Sequence, residues 1–287
     1  MTVGMLDCSS WDYGWNPFVG CDPIRGDPSC AVCYAQFIVA NYKWPDEHGR
    51  LTRGRHEGVT KEVNEVPVWN GRVKVHPYDD PIWQVPYNVR LPSWRLPILG
   101  RGQPLLAFIG DISDCGLVCK RVIPGSTVGV LDRCIETMMC VGHIAMFSSK
   151  RPERLAAYLQ QRPLRITQEC VWPGTSAPNQ HWLNIRLPHL LAMADRDYRT
   201  FLYLSPLMER VVLPPEFLKL GNRTWLIVGG QQPTGGQRMR IMDPDWAWSL
   251  RVQCREAGVP FWFLQMSNHG AIPLELEDAR EVPDLLR

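Results

Sequence analysis

Residues 15 to 34 read Trp-Asn-Pro-Phe-Val-Gly-Cys-Asp-Pro-Ile-Arg-Gly-Asp-Pro-Ser-Cys-Ala-Val-Cys-Tyr, which sets Cys21, Cys30 and Cys33 in a C-x8-C-x2-C array. The spacer from Asp22 to Ser29 holds two prolines, a glycine and two aspartates, a composition that makes a loop. A short apolar run, residues 15 to 20, precedes it and is expected to be the first strand. A helix-compatible stretch from Ala31 through Asn41 follows, with Tyr34, Phe37, Ile38 and Tyr42 as its apolar positions. Three thiolates on one loop between a strand and a helix suit two kinds of metal. Zinc in a structural site wants a fourth protein ligand, and Cys8, Cys115 and Cys119 are candidates. An iron–sulfur cluster on three cysteines leaves one iron open for a ligand that is not protein. Spacing alone leaves both open, together with plain structural cysteines.

Outward from this loop the chain alternates strand and helix from residue 105 onward. Strand runs are expected at Leu105 to Ile112, His143 to Phe147, Cys170 to Thr175, Thr200 to Leu204, Thr224 to Val228 and Val259 to Leu264. Helices are expected at 126–140, Glu153 to Gln161, Leu183 to Asp195 and Asp243 to Ala257, the last opened by an Asp-Pro N-cap. This rhythm predicts an α/β fold, a partial or complete parallel barrel of about six to eight strands. Residues 1–287 read as one domain, with 45–104 as an irregular insertion after the first unit and 265–287 as a C-terminal tail. Polar residues fall just past the strand runs: Asp111, Ser113 and Asp114, then Ser148 to Arg151, Ser176, Ser205, and Gly229 to Gln232. In parallel barrels that rim is where sites are built, and the cysteine loop follows the first strand onto the same rim.

Composition excludes some classes. No 18-residue apolar run is present, so no membrane span is expected, and residues 1–10 lack the regions of a secretory signal. A cytoplasmic location follows. Ten cysteines without a signal argue against a disulfide framework; Cys115 and Cys119, spaced C-x3-C, could ligate a second metal but read better as the start of a buried helix. Net charge is only +2, yet six lysines stand against 25 arginines. Arginine forks suit phosphates, and a compositional bias gives the same count. In the insertion, Arg50, Arg53, Arg55, Lys61, Arg72, Lys74, Arg90, Arg95 and Arg101 alternate with Trp69, Tyr78, Trp83, Tyr87 and Trp94. Such interleaving suits single-stranded or flipped nucleic acid. The alternative is an insertion packed on the barrel flank, its tryptophans forming a small core.

The chain resembles a phage-associated family of unknown function related to radical S-adenosylmethionine (radical SAM) enzymes. The resemblance starts with Trp15-Asn16-Pro17, Gly20-Cys21 and Cys30-x-x-Cys33-Tyr34. It continues through Ser113-Asp114, Lys150-Arg151-Pro152-Glu153-Arg154, Val171-Trp172-x-Gly174-x-Ser176 and Arg186-Leu187-Pro188. Ser205-Pro206-Leu207, Trp225 to Gly230 and Cys254 to Phe263 complete it, so it covers almost the whole chain.

That resemblance implies a [4Fe–4S] cluster on Cys21, Cys30 and Cys33, with S-adenosylmethionine on the open iron. Reduction by a donor such as flavodoxin or ferredoxin would cleave the sulfonium and give a 5′-deoxyadenosyl radical that takes hydrogen from a substrate carbon. Ser113 and Asp114 would lie near the methionine amino group. Ser148, Lys150 and Arg151 would face the methionine carboxylate or a substrate phosphate. Ser176 and Ser205 would bind ribose hydroxyls, and Gly229 and Gly230 would let backbone approach the adenine. The phage setting implies DNA as partner and a hypermodified pyrimidine as substrate, the sharpest form being N-to-C isomerisation of a glycinyl-thymidine. A DNA-lesion lyase, a radical modifier of small molecules or peptides, and a non-enzymatic zinc- or cluster-stabilised nucleic-acid-binding module are the alternatives. The chain departs from the family pattern at Ala177, before Pro206, at Gln231 and at Leu264-Gln265-Met266, where rim acids and a lysine are usual. Its eight-residue spacer also replaces the three residues usual between the first two cysteines of radical SAM enzymes.

Overall fold

The computed structural model describes residues 10–41, 44–45, 51–52, 56–93, 96–233 and 239–285. The expectations for Cys8, Tyr42, Arg50, Arg53, Arg55, Trp94 and Arg95 lie outside these residues. Seven strands form one parallel sheet: β1 (Tyr13–Trp15), β2 (Leu106–Ile109), β3 (Ile144–Ser148), β4 (Val171–Ser176), β5 (Thr200–Leu204), β6 (Thr224–Val228) and β7 (Phe261–Phe263). They pair in sequence order, the arrangement that successive crossovers in one direction produce. The sheet curls into a half barrel, and among the described residues β7 does not return to pair with β1.

Helices fill the crossovers. The order is α1 (Pro28–Ala31) and α2 (Tyr34–Asn41) after β1, α3 (Val130–Val141) after β2, α4 (Pro152–Gln160) and α5 (Leu164–Cys170) after β3, and α6 (Gln180–Ala194) after β4. Then come α7 (Pro215–Leu218), α8 (Pro244–Ala257) and α9 (Leu274–Glu277), after β5, β6 and β7 respectively. Helix ends follow local chemistry. Asp243 caps α8 by accepting from Asp245 N, Pro244 opens it, and Gly258 closes it in the left-handed region. No helix of the described residues is long and apolar enough to cross a membrane.

Both sheet faces are buried, which is why strands such as Phe201-Leu202-Tyr203-Leu204 are apolar throughout. Alternate residues serve different cores. Ala107, Ile109, Ala145, Phe147, Leu202, Leu204, Leu226 and Val228 pack under the helices. Leu106, Phe108, Ile144, Met146, Trp172, Phe201, Tyr203, Trp225, Ile227 and Trp262 fill the concave side. Trp225 stands edge-to-face with both Trp172 and Trp262, at 6.4 and 5.6 Å between ring centroids. Gly174 makes room in this layer: a Cβ there would lie 2.3 Å from the Phe201 ring. The tail pads the same side, with Phe263 N donating to Ala279 O and Trp225 Nε1 to Glu281 O.

The segment 15–20 is not one strand. Trp15 ends β1, while Phe18–Val19 leaves the main sheet and pairs antiparallel with Lys74–Val75. Pro17 has no N–H to continue a ladder, which accounts for the break. Likewise the run from Leu105 stops at Ile109, because Gly110 turns the chain with φ +67°. Within the insertion, Trp69 and Trp83 are buried. Trp83 meets Trp15 edge-on at 5.7 Å and donates to Pro77 O, and Trp15 Nε1 donates to Ile82 O. Trp83 thus anchors the insertion to β1, while Trp69 packs with Val19, Ala35, Val39 and Ile112, and neither offers a stacking surface. Tyr78 and Tyr87 remain exposed, with the Arg133 guanidinium over the Tyr78 ring at 5.0 Å.

Candidate functional site

The cysteine loop begins at Gly20, whose φ of +99° and contact with Arg72 O, 2.2 Å from any added Cβ, leave room for glycine alone. Ser113 Oγ donates to Gly20 O at 2.6 Å, tying the end of β2 to the start of the loop. Asp27 then caps α1: its Oδ1 accepts from Ser29 N at 2.9 Å and Ser29 Oγ at 2.6 Å, with Pro28 in the first turn. Cys30 lies in that turn, and Cys33 directly precedes α2.

Two arginines from elsewhere in the barrel hold the spacer. Arg186 of α6, 1% exposed, donates to Asp27 Oδ2 at 2.6 Å, to Ser176 O at 2.6 Å and to Lys150 O at 3.1 Å. It thereby joins the ends of β3 and β4 to the loop. Arg151 Nη1 donates to Asp114 Oδ2 at 2.9 Å, and its Nη2 donates to Asp22 O. Asp114 also accepts from Ser149 Oγ at 2.5 Å and Gly116 N at 2.9 Å. Ser113, Asp114 and Arg151 thus have their polar atoms engaged in bracing the loop. The buried charges of this brace are paired, Arg186 with Asp27 and Arg151 with Asp114, as burial demands.

The three thiols are half-buried and within electrostatic reach of one another. Burial pushes Cys21 far up, and Asp114, Cys33 and Cys30 add to it, with Lys150 opposing. Burial also raises Cys30, and Asp27 adds to this while Lys150 opposes it. Lys150 Nζ reaches Ser29 Oγ at 2.7 Å and Cys30 Sγ at 3.4 Å. Burial alone would lower the lysine, but Cys30, Asp27 and Cys33 outweigh it and hold Lys150 charged. Cys115 and Cys119 donate instead to Ile109 O and Cys115 O. Cys134, Cys170 and Cys254 are buried, while Cys140 is exposed. Among the described residues, no three His, Cys, Asp or Glu side chains converge on a point where one ion could sit.

Beside the loop, the concave face carries the remaining rim residues. Ser148, Ser205 and Gly229 stand two positions beyond Met146, Tyr203 and Ile227, and Ser176 stands four beyond Trp172. The two-residue period puts all four on the concave side. Gly230 is placed differently: a Cβ there would lie 2.3 Å from Ser267 N, so its bareness serves packing against residues 266–267. Sequence reasoning gave no role to Asp27, quoted Asn16 and Arg186 only within motifs, and named Asp111 only as a rim polar residue. Asn16 Oδ1 and Asp111 Oδ1 are buried without a hydrogen-bond partner. Burial raises Asp111 to about 6, against hydrogen bonds from Asn16 and the Ile112 backbone. Gly14 gives this carboxylate space, since a Cβ there would lie 3.0 Å from Asp111 Oδ2. Tyr34, 44% exposed, donates to Asp111 O at 3.0 Å and presents its ring at the mouth. The Asp27-Pro28 cap was a readable signal, and Arg186 stood in a quoted motif, but the contact between the two was not readable.

Residues 8–282 match the family described as "Protein of unknown function (DUF5131)". The chain belongs to this family. No curated protein and no solved structure matches it. The DUF5131 match takes in the cysteine loop, all seven strands, and both arginines that brace the spacer.

Proposed function

We propose that this DUF5131 chain is a radical SAM enzyme. The observation that carries the reading is the pairing of three neighbouring thiols on one braced loop with two buried acceptor oxygens, Asn16 Oδ1 and Asp111 Oδ1, that lack a hydrogen-bond partner on the concave side of a parallel half barrel. The donor set fits a [4Fe–4S] cluster: a cubane spreads three thiolates over separate irons, whereas a structural zinc draws four ligands onto one point. Metal charge offsets the raised thiols by holding them as thiolates. When bound, cluster and S-adenosylmethionine together supply a carbon-centred radical able to take hydrogen from an unactivated C–H bond.

The chain's own residues do the rest. Cys21, Cys30 and Cys33 hold the cluster. Asp111, rather than Asp114, supplies an open carboxylate oxygen on the concave side, Oδ1, and with Asn16 Oδ1 it accepts from an ammonium or amide N–H. Ser148, Ser176 and Ser205 are available for hydroxyl contacts, and Gly229 for close backbone approach. The aromatic layer below keeps water from the floor of the concavity. The substrate in this reading is a hypermodified pyrimidine of phage DNA. Its support is the ordered set of sequence motifs, together with the exposed side chains Arg72, Lys74, Arg90, Tyr78 and Tyr87 of the insertion.

Anaerobic reconstitution with iron and sulfide tests the class. The expected result is a brown protein with about four irons per chain that converts S-adenosylmethionine to 5′-deoxyadenosine under reductant. A colourless protein holding one tight zinc would overturn it. Deuterium transfer into 5′-deoxyadenosine from labelled phage DNA, set against free nucleosides, tests the substrate.

A further inference from the structure

The rim lysine turns toward the cysteine loop rather than toward the mouth. Lys150 leaves the end of β3 and reaches Ser29 Oγ at 2.7 Å and Cys30 Sγ at 3.4 Å. Ser29 is itself fixed, because both its N–H and its hydroxyl donate to Asp27 Oδ1. Asp27 is fixed in turn by Arg186, which also grips the Lys150 carbonyl at 3.1 Å. Backbone and ammonium of Lys150 are therefore held by one continuous network. Among the described residues, Cys30 is the one thiol of the three whose sulfur accepts a side-chain hydrogen bond.

We infer that Lys150 is a positioning residue for the cluster, setting its reduction potential through an ammonium hydrogen bond to the Cys30 sulfur. The inference rests on the radical SAM reading. Adding an electron to the cluster makes the site more negative, and a fixed cation bonded to a ligand sulfur stabilises that reduced state. Hydrogen bonds to cluster sulfurs and local net charge are among the factors that set such potentials. Lys150 also acts electrostatically on Cys21 and Cys33, and Arg151 on Cys21, so what would set Cys30 apart is the hydrogen bond to its sulfur. This assignment also removes Lys150 from the groups free to bind a carboxylate or phosphate at the mouth.

The test uses the full chain, reconstituted anaerobically, as wild type, Lys150→Met and Lys150→Arg. Iron and sulfide per chain are measured first, then the midpoint potential by dye-mediated titration followed by electron paramagnetic resonance. Lys150→Met should keep its iron and become harder to reduce, by about tenfold in the reduction equilibrium constant, or about 59 mV for one electron. Lys150→Arg, which keeps the charge and a donor, should recover most of that shift. An unchanged potential in iron-loaded Lys150→Met overturns the inference and leaves the radical SAM reading intact. Wild type that takes up no iron overturns that reading instead. Should Lys150→Met lose its iron, Lys150→Arg decides: iron retained at the wild-type potential supports the inference. Iron lost from both variants, or a tenfold shift in Lys150→Arg, overturns it.

Discussion

Arg186 Nη2 and Asp27 Oδ2 meet at 2.6 Å although 159 positions separate them in the chain, and both side chains are almost wholly buried. This ion pair sits at the centre of the network that shapes the cysteine loop. Removing one partner leaves the other charge buried and unpaired, which costs about 3–5 kcal/mol. Arg186→Met and Asp27→Asn should each lower stability by that order in urea denaturation. Because the two residues share one interaction, the double variant should lose well under the sum of the two. Strict additivity would show that the pair is not coupled.

Cys30→Ala separates metal from fold. The thiol is half-buried and replacement by Ala removes one atom, so the stability of the metal-free chain should change by less than about 1 kcal/mol. Iron uptake on reconstitution should nevertheless be lost. Circular dichroism and iron analysis on the same sample check both halves. Retention of wild-type iron would remove Cys30 from the ligand set.

Asp111 gives a pH signature. Burial raises its carboxyl to about 6, so between the ordinary carboxylate range and about pH 6 the folded chain binds more protons than the unfolded one. Stability therefore falls as pH rises through that window and then levels off, leaving a penalty of about 2–3 kcal/mol at pH 7.5. Asp111→Asn removes the charge, so its stability relative to wild type should improve between pH 5 and pH 7.5. An equal difference at the two pH values would contradict the assignment.

Gly174→Ala tests the concave layer. The added methyl would sit 2.3 Å from the Phe201 ring, which is packed between neighbours and cannot swing away. Overpacking of this kind costs about 1–3 kcal/mol. Adding Phe201→Leu should recover part of the loss, and thermal unfolding of the single and double variants measures it.

Six of the seven parallel strands were readable as apolar runs closed by glycine or a polar residue, whereas the first was expected at 15–20 and lies at Tyr13–Trp15. Thr200–Leu204 and Thr224–Val228 fall where the pattern puts them. The short helices α5, α7 and α9 were missed, because four to seven residues show too little periodicity to stand out from a loop. The break at Pro17 was also legible in principle, since a proline inside a strand run demotes it. The site divided differently. Cysteine spacing pointed to the loop, and the rim serines followed from strand ends. What spacing cannot reveal is which rim polar group is already occupied. Asp111 and Asp114 look alike in sequence, yet one has an orphaned oxygen while the other is saturated by Arg151, Ser149 and Gly116. That difference arises from contacts across more than thirty positions, which no local pattern encodes.

The two arginines that brace the spacer also set an order of events in synthesis. Cys21, Cys30 and Cys33 are made well before their brace, since Arg186 follows Asp27 by 159 positions. At about 5–20 residues per second, the loop spends on the order of ten seconds or more outside the ribosome before its brace exists. During that interval the thiols belong to a floppy nascent segment. Iron delivered then would meet no shaped receptor, whereas iron delivered after release would. In the radical SAM reading, metal loading would wait until the fourth crossover, which carries Arg186, has closed.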